Sequence, residues 1–174
     1  EYLQQLINWR DKKVIKVITG VRRCGKSTLM DLYKSCLLEQ GVANEQIISI
    51  NFEDYDYIDL LEPRNFYAYV KERILSDGRM TYFFFDEIQN VKDFERVVDS
   101  LYIKPNVDIY ITGSNAYMLS SELATLLSGR YVEIKMLPLS FKEYVEVSGD
   151  EHELPRKYRN YIETSSFPYV LDMK

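Results

Sequence analysis

Gly20-Val21-Arg22-Arg23-Cys24-Gly25-Lys26-Ser27-Thr28 is the stretch on which the reading of this chain turns. It meets every fixed position of the phosphate-binding pattern G-x-x-x-x-G-K-[ST]. Gly20 and Gly25 let the backbone curl so that successive N–H groups point inward at phosphates. The context also fits. A β-branched apolar run over 14–19 precedes the loop, and a helical stretch over 26–39 follows, with Gly41 as its cap. That helix adds the positive end of its dipole. Lys26 would reach the β- and γ-phosphates, and the Ser27 hydroxyl would ligate Mg2+.

Outward from the loop, strand and helix patterns alternate. Strands are expected over 46–52, 82–85, 107–112 and 131–136, and helices over 66–75, 93–101 and 118–127, the last closed by Gly129. A polar, acidic loop over 53–59 follows the second strand, without the spacing of a calcium loop. Repeated β-α units imply an α/β fold of three layers, a parallel sheet with helices on both faces.

Tyr82-Phe83-Phe84-Phe85-Asp86-Glu87 is an apolar strand that ends in an acidic pair. Behind a phosphate loop this is the Walker B pattern: Asp86 would hold Mg2+, and Glu87 would orient and deprotonate an attacking water. A carboxylate beside the magnesium Asp suits hydrolysis better than transfer to an acceptor hydroxyl. Asp86 stands 60 residues after Lys26, with the second strand between them in sequence. In the additional-strand class of P-loop proteins, which carries this Glu, another strand separates the two in space. The 107–112 strand is the candidate, giving the order 5-1-4-3-2. It ends in Thr112-Gly113-Ser114-Asn115. Ser114 or Asn115 would be sensor 1, holding the water or reporting the γ-phosphate; an ordinary helix cap is the other reading. The chain has no Asn-Lys-x-Asp guanine motif, so ATP is the expected nucleotide.

Past the fifth strand the pattern changes. Leu139-Ser140-Phe141-Lys142-Glu143-Tyr144 reads as a capping box, with Ser140 at the N-cap, Glu143 at N3 and Leu139 stapling onto Tyr144. A helix to about 147, a polar loop over 148–153 and a last helix over 156–164, with Pro155 in its first turn, complete the reading. The expected division is a P-loop ATPase core over 1–137 and a helical segment over 138–174, the start of a lid or C-terminal domain. The chain opens with Glu1 rather than Met and stops at Lys174 in a region that still reads as structured, so part of a longer protein is expected.

A net charge of −5 argues against wrapping nucleic acid with the whole surface, though not against a local basic patch. Two Cys and one His cannot by themselves supply the four ligands of a zinc site, and two Cys make no disulfide framework. No apolar stretch reaches the roughly 20 residues that cross a bilayer, and no signal peptide opens the chain, so the reducing cytoplasm is the expected location.

The block from Ile15 to Ser27, with its double Arg, resembles a family of uncharacterised prokaryotic AAA+ superfamily ATPases. Phe85-Asp86-Glu87-Ile88-Gln89, Ile111-Thr112-Gly113-Ser114, Gly129-Arg130-Tyr131 and Leu137-Pro138-Leu139-Ser140-Phe141-Lys142-Glu143-Tyr144 fall in the family's order. The resemblance implies an additional-strand AAA+ core, ATP and Mg2+ as ligands, and a following C-terminal domain similar to restriction-type nucleases. It also implies that Arg130 projects into a neighbour's nucleotide site in a homo-oligomer; a surface Arg behind a Gly cap is the plain alternative. Ser165-Ser166 stand before Phe167-Pro168 where the family often has a Gly pair.

Several residues keep two readings. Arg22 and Arg23 would touch phosphates or a neighbouring subunit, or form a solvated loop face. Cys24 is either a small filler or a thiol made acidic by the helix end. Cys36 reads as helix packing and His152 as an exposed loop residue. Trp9 and its apolar neighbours would flank the adenine. Two function classes stay open: an ATP hydrolase whose turnover rearranges an attached domain or partner, with a protein or DNA client left open, and a nucleotide-gated binding module with little or no turnover. A small-molecule kinase is third, disfavoured by the acidic pair.

Overall fold

The computed structural model describes residues 1–114, 127–148 and 153–164. Asn115, His152, nearly all of the helix expected over 118–127 and the segment from Ser165 to Pro168 lie outside the described residues. Eleven α and β elements are described: α1 Tyr2–Trp9, β1 Ile15–Gly20, α2 Lys26–Glu39, β2 Ile47–Asn51, α3 Pro63–Glu72, β3 Thr81–Asp86, α4 Phe94–Tyr102, β4 Val107–Ser114, β5 Tyr131–Met136, α5 Phe141–Ser148 and α6 Leu154–Thr164.

The five strands form one parallel sheet in the order β2-β3-β4-β1-β5. This is the expected order read from the other edge. Side chains alternate across it, so each strand feeds two cores. Ile15, Val17, Phe83, Phe85, Ile109 and Ile111 face one way, against Phe66 and Val70 of α3 and Val97, Val98 and Leu101 of α4. Ile18, Tyr82, Phe84, Tyr110 and Ile134 face the other, against Leu6 of α1 and Leu29, Met30, Tyr33 and Leu37 of α2. The first core is built around aromatic edges: Phe66 meets Phe85 at 4.9 Å and Phe52 at 5.0 Å between centroids, both T-shaped.

Most boundaries fall within a residue or two of the pattern, and three departures have physical causes. Helix α3 starts at Pro63, three residues before the first apolar position, because proline's fixed φ suits the first turn. Helix α1 has no side-chain cap to announce it, and buried Leu6 anchors it. The acidic loop holds a 3-10 segment, Tyr55–Leu61, that Asp54 opens by accepting from the Asp56 N–H at 3.0 Å. Gly41 does close α2, at φ +86°, with the Val42 N–H reaching Leu37 O at 3.0 Å. The capping box forms as read: Glu143 accepts from the Ser140 N–H at 2.8 Å, and the Glu143 N–H donates to Ser140 Oγ at 3.2 Å. Helices α5 and α6 then pack through Phe141, Tyr144, Tyr158 and Tyr161. No helix among the described residues is long and apolar enough to cross a membrane.

One polar interaction interrupts the second core. Lys16 in β1 is fully buried and pairs with Asp108 in β4. Lys12 O accepts from Lys16 Nζ at 3.0 Å, Tyr110 OH donates to Asp108 Oδ2 at 2.8 Å, and the Asp11 N–H donates to the same oxygen at 2.9 Å. Burial pushes the Asp108 carboxyl up and the Lys16 ammonium down, and each partner's charge works against that shift. Removing one partner strands the other charge in the interior. Asp108→Ala is therefore expected to lower the unfolding free energy by about 3–5 kcal/mol in urea titration. Replacing both residues with apolar side chains should cost markedly less; a single and a double variant of equal stability would contradict the assignment.

Candidate nucleotide site

The loop between β1 and α2 is shaped by space and by backbone sign. A Cβ on Gly20 would lie 2.6 Å from Cys24 Sγ and 2.8 Å from Met136 O, so no side chain fits there. Gly25 sits at φ +100° as the N-cap of α2, a conformation that side chains resist. Arg23 also adopts a positive φ, at +65°. Arg22 is exposed and reaches Glu53 at 3.0 Å, so the acidic loop meets the phosphate loop here. Val21, Ser27 and Thr28 lie open to solvent beside them.

Lys26 is 4% exposed. Its ammonium donates to the carbonyls of Gly20 at 3.4 Å and Val21 at 3.3 Å, and lies 3.4 Å from Glu87 Oε1. Asp86 ends β3, and its Oδ1 accepts from the Thr112 hydroxyl of β4. That same hydroxyl accepts from the Glu87 N–H at 3.0 Å. Glu87 turns the chain at φ +51°. The structure thus brings Lys26, Asp86, Glu87 and Thr112 to the C-terminal end of the sheet. Ser114 is in register with Gly20 across the β1–β4 pair.

Beside the loop lies a cavity of about 300 Å3, lined among others by Tyr2 and Leu3 of α1, Gly25, Thr28, Met136 and Leu139. Trp9 is not in the lining; it stands at the far end of α1, with Lys12 Nζ 5.0 Å from its ring. The apolar residues before β1 that reach the cavity are therefore those of the first turn of α1. A short helix without a cap signal left that turn invisible in sequence.

Comparison with known proteins decides the family. The model of the AAA domain family matches residues 12–145. The chain belongs to that family. It is 46% identical over 173 residues to an uncharacterized protein of Haemophilus influenzae, covering 98% of this chain and 43% of that one. It is 33% identical over 167 residues to an uncharacterized protein of Methanocaldococcus jannaschii, covering 90% and 36%. It thus spans less than half the length of these curated relatives. Among solved structures, AMPPCP-bound DnaA from Aquifex aeolicus shares the fold at TM-score 0.64 and 12% identity, over 98% of this chain and 56% of that one. The AAA domain here is a nucleotide-binding, ATPase-like core.

Arg130 of this AAA domain stands just before β5, whose first residue pairs with Ile15 and whose last pairs with Gly20. It is therefore at the end of the sheet remote from its own phosphate loop. There its guanidinium pairs with Asp99 of α4 and lies 5.7 Å from the Tyr102 ring. Gly129 before it has φ +72°.

Cys24 resolves toward the filler reading. Its side chain is buried, and burial pushes the thiol up, against the pull of the Lys26 charge. The helix end does not make it acidic. Cys36 is partly accessible. Iodoacetamide at mildly alkaline pH is therefore expected to modify Cys36 well before Cys24 in the folded protein, read by peptide mass mapping. Equal rates would contradict the buried, high-pKa thiol.

Proposed function

We propose that this AAA domain hydrolyses ATP with Mg2+ and couples nucleotide state to rearrangement of an attached domain or partner. The observation that carries it is the convergence of Lys26, Asp86 and Glu87 at one end of the sheet, with Glu87 beside the loop's lysine. Backbone N–H groups from Gly20 to Thr28 would receive the phosphates, and Lys26 would turn its ammonium from Glu87 to the β- and γ-oxygens. The exclusion of a Cβ at Gly20 and the positive φ at Gly25 support that cradle. The hard oxygen donors of Ser27 and Asp86 suit Mg2+, and they would hold it. When bound, the ion would neutralise charge on the phosphate oxygens.

Glu87 would accept a proton from water as the water oxygen bonds to the γ-phosphorus. The bond between that phosphorus and the β–γ bridging oxygen breaks, and ADP leaves with the oxygen. Ser114 or Asn115 would sense the γ-phosphate; the register of Ser114 with Gly20 supports the former. Arg130 would complete the site of a second copy in a homo-oligomer. Its place at the far end of the sheet supports action in trans rather than in cis.

Glu87→Gln in the full-length protein is expected to lower Mg-dependent ATP turnover about 100-fold or more while ATP still binds. Specific activity should rise with protein concentration in the wild type and not in Arg130→Ala. Tight ATP binding without turnover in the wild type would overturn the hydrolase and leave a nucleotide-gated binding module.

A further inference from the structure

Two local irregularities meet at one contact. Glu87 holds φ +51° and ψ +46°, the left-handed region that side chains avoid and that clusters at functional sites. Two residues on, Gln89 donates from Nε2 to Glu87 Oε2 at 2.5 Å. The Gln89 carbonyl oxygen, Oε1, is buried and has no hydrogen-bond partner among the described residues. Interiors pair nearly all such acceptors, so an orphan calls for an explanation. The amide gives its donor to Glu87 and leaves its acceptor uncommitted. The contact gives the carboxylate a fixed orientation.

Lys26 holds the other carboxylate oxygen at 3.4 Å. Its ammonium is the group that the phosphates would claim. Once it turns to them, the side-chain hydrogen bond left on the Glu87 carboxylate, among the described residues, is the one from Gln89. The Thr112 hydroxyl holds Glu87 only through its backbone N–H. We infer that Gln89 is a positioning residue, which keeps the Glu87 carboxylate aimed at the attacking water after Lys26 has left it. This role rests on the hydrolase reading of Glu87.

The test uses the full-length protein with Gln89→Ala and Gln89→Met, beside wild type and Glu87→Gln. Gln89→Met approximates the length and volume of the side chain and loses the N–H donor. Turnover, KM, ATP binding by calorimetry and thermal melting are measured for each. Misorientation of a reacting group costs up to about 100-fold, so kcat should fall roughly 10- to 100-fold in both Gln89 variants. KM and ATP affinity should stay within about twofold, and melting should be nearly unchanged in Gln89→Met. Wild-type turnover with unaltered kcat in both variants would overturn the role of Gln89 alone. So would parallel losses of ATP affinity and melting temperature, which mark a structural side chain. Absence of turnover in the wild type would overturn the hydrolase reading and this role together.

Discussion

Strand β4 lies between β1 and β3, and the site exists because of that insertion. The loop that follows β1 and the acidic pair that ends β3 would otherwise sit on adjacent strands. With β4 between them, Thr112 is brought against Asp86 and the Glu87 N–H, and Ser114 comes level with Gly20. The same strand carries Asp108 at its other end, where it meets Lys16 of β1. A slip by one residue would send each of these side chains to the opposite face. The buried ion pair at one end of β4 and the hydroxyl bridge at the other therefore fix one register, and the register places the groups at the site. A buried pair of this kind is a weak source of net stability, but losing one partner leaves the other charge stranded, which penalises a pairing that separates them.

Much of this was legible because the signals were local. The loop pattern, the apolar strand ending in Asp86-Glu87, the Ser140–Glu143 box and the Gly41 cap each report a constraint within a few residues. The strand order followed from one of them, since the catalytic-type Glu marks the class that carries an extra central strand. What stayed hidden depends on distant partners. Lys16 looks like a flaw in the apolar run Ile15-Lys16-Val17-Ile18, and only Asp108, 92 residues on, explains it. Cys24 sits at a helix end that ought to acidify it, but burial dominates. Gln89 stood in plain view after Asp86-Glu87, yet nothing in the sequence says its amide turns back onto Glu87. Helix α1 depends on Leu6 reaching the second core, which no cap announces.

The two ends of the sheet divide the labour. At the C-terminal ends of the strands lie the loop, the acidic pair and the cavity that Tyr2, Leu3 and Met136 help to line. At the opposite ends lie Arg130 with Asp99 and the Lys16–Asp108 pair. An Arg so placed ties the start of β5 to Asp99 of α4 within one chain, at the end of the sheet remote from the loop. The first helix and the segment after β5 meet over the loop end of the sheet, where the Leu137 N–H donates to Tyr2 OH at 3.2 Å. Movement of either segment would be felt at the cavity wall.

The contact between Lys26 and Glu87 also bears on how an anion enters. The lysine is not a bare cation awaiting a ligand, because its charge is already matched across 3.4 Å. Under the proposed reading, entry of a phosphate would be a metathesis: one oxyanion would displace another from the same ammonium, and the displaced carboxylate would be freed in the same motion. A lone inorganic anion would have to supply more than the carboxylate it expels. A polyphosphate would do so through the many backbone N–H groups it meets at once. Such a loop would discriminate by the number of contacts rather than by the presence of negative charge.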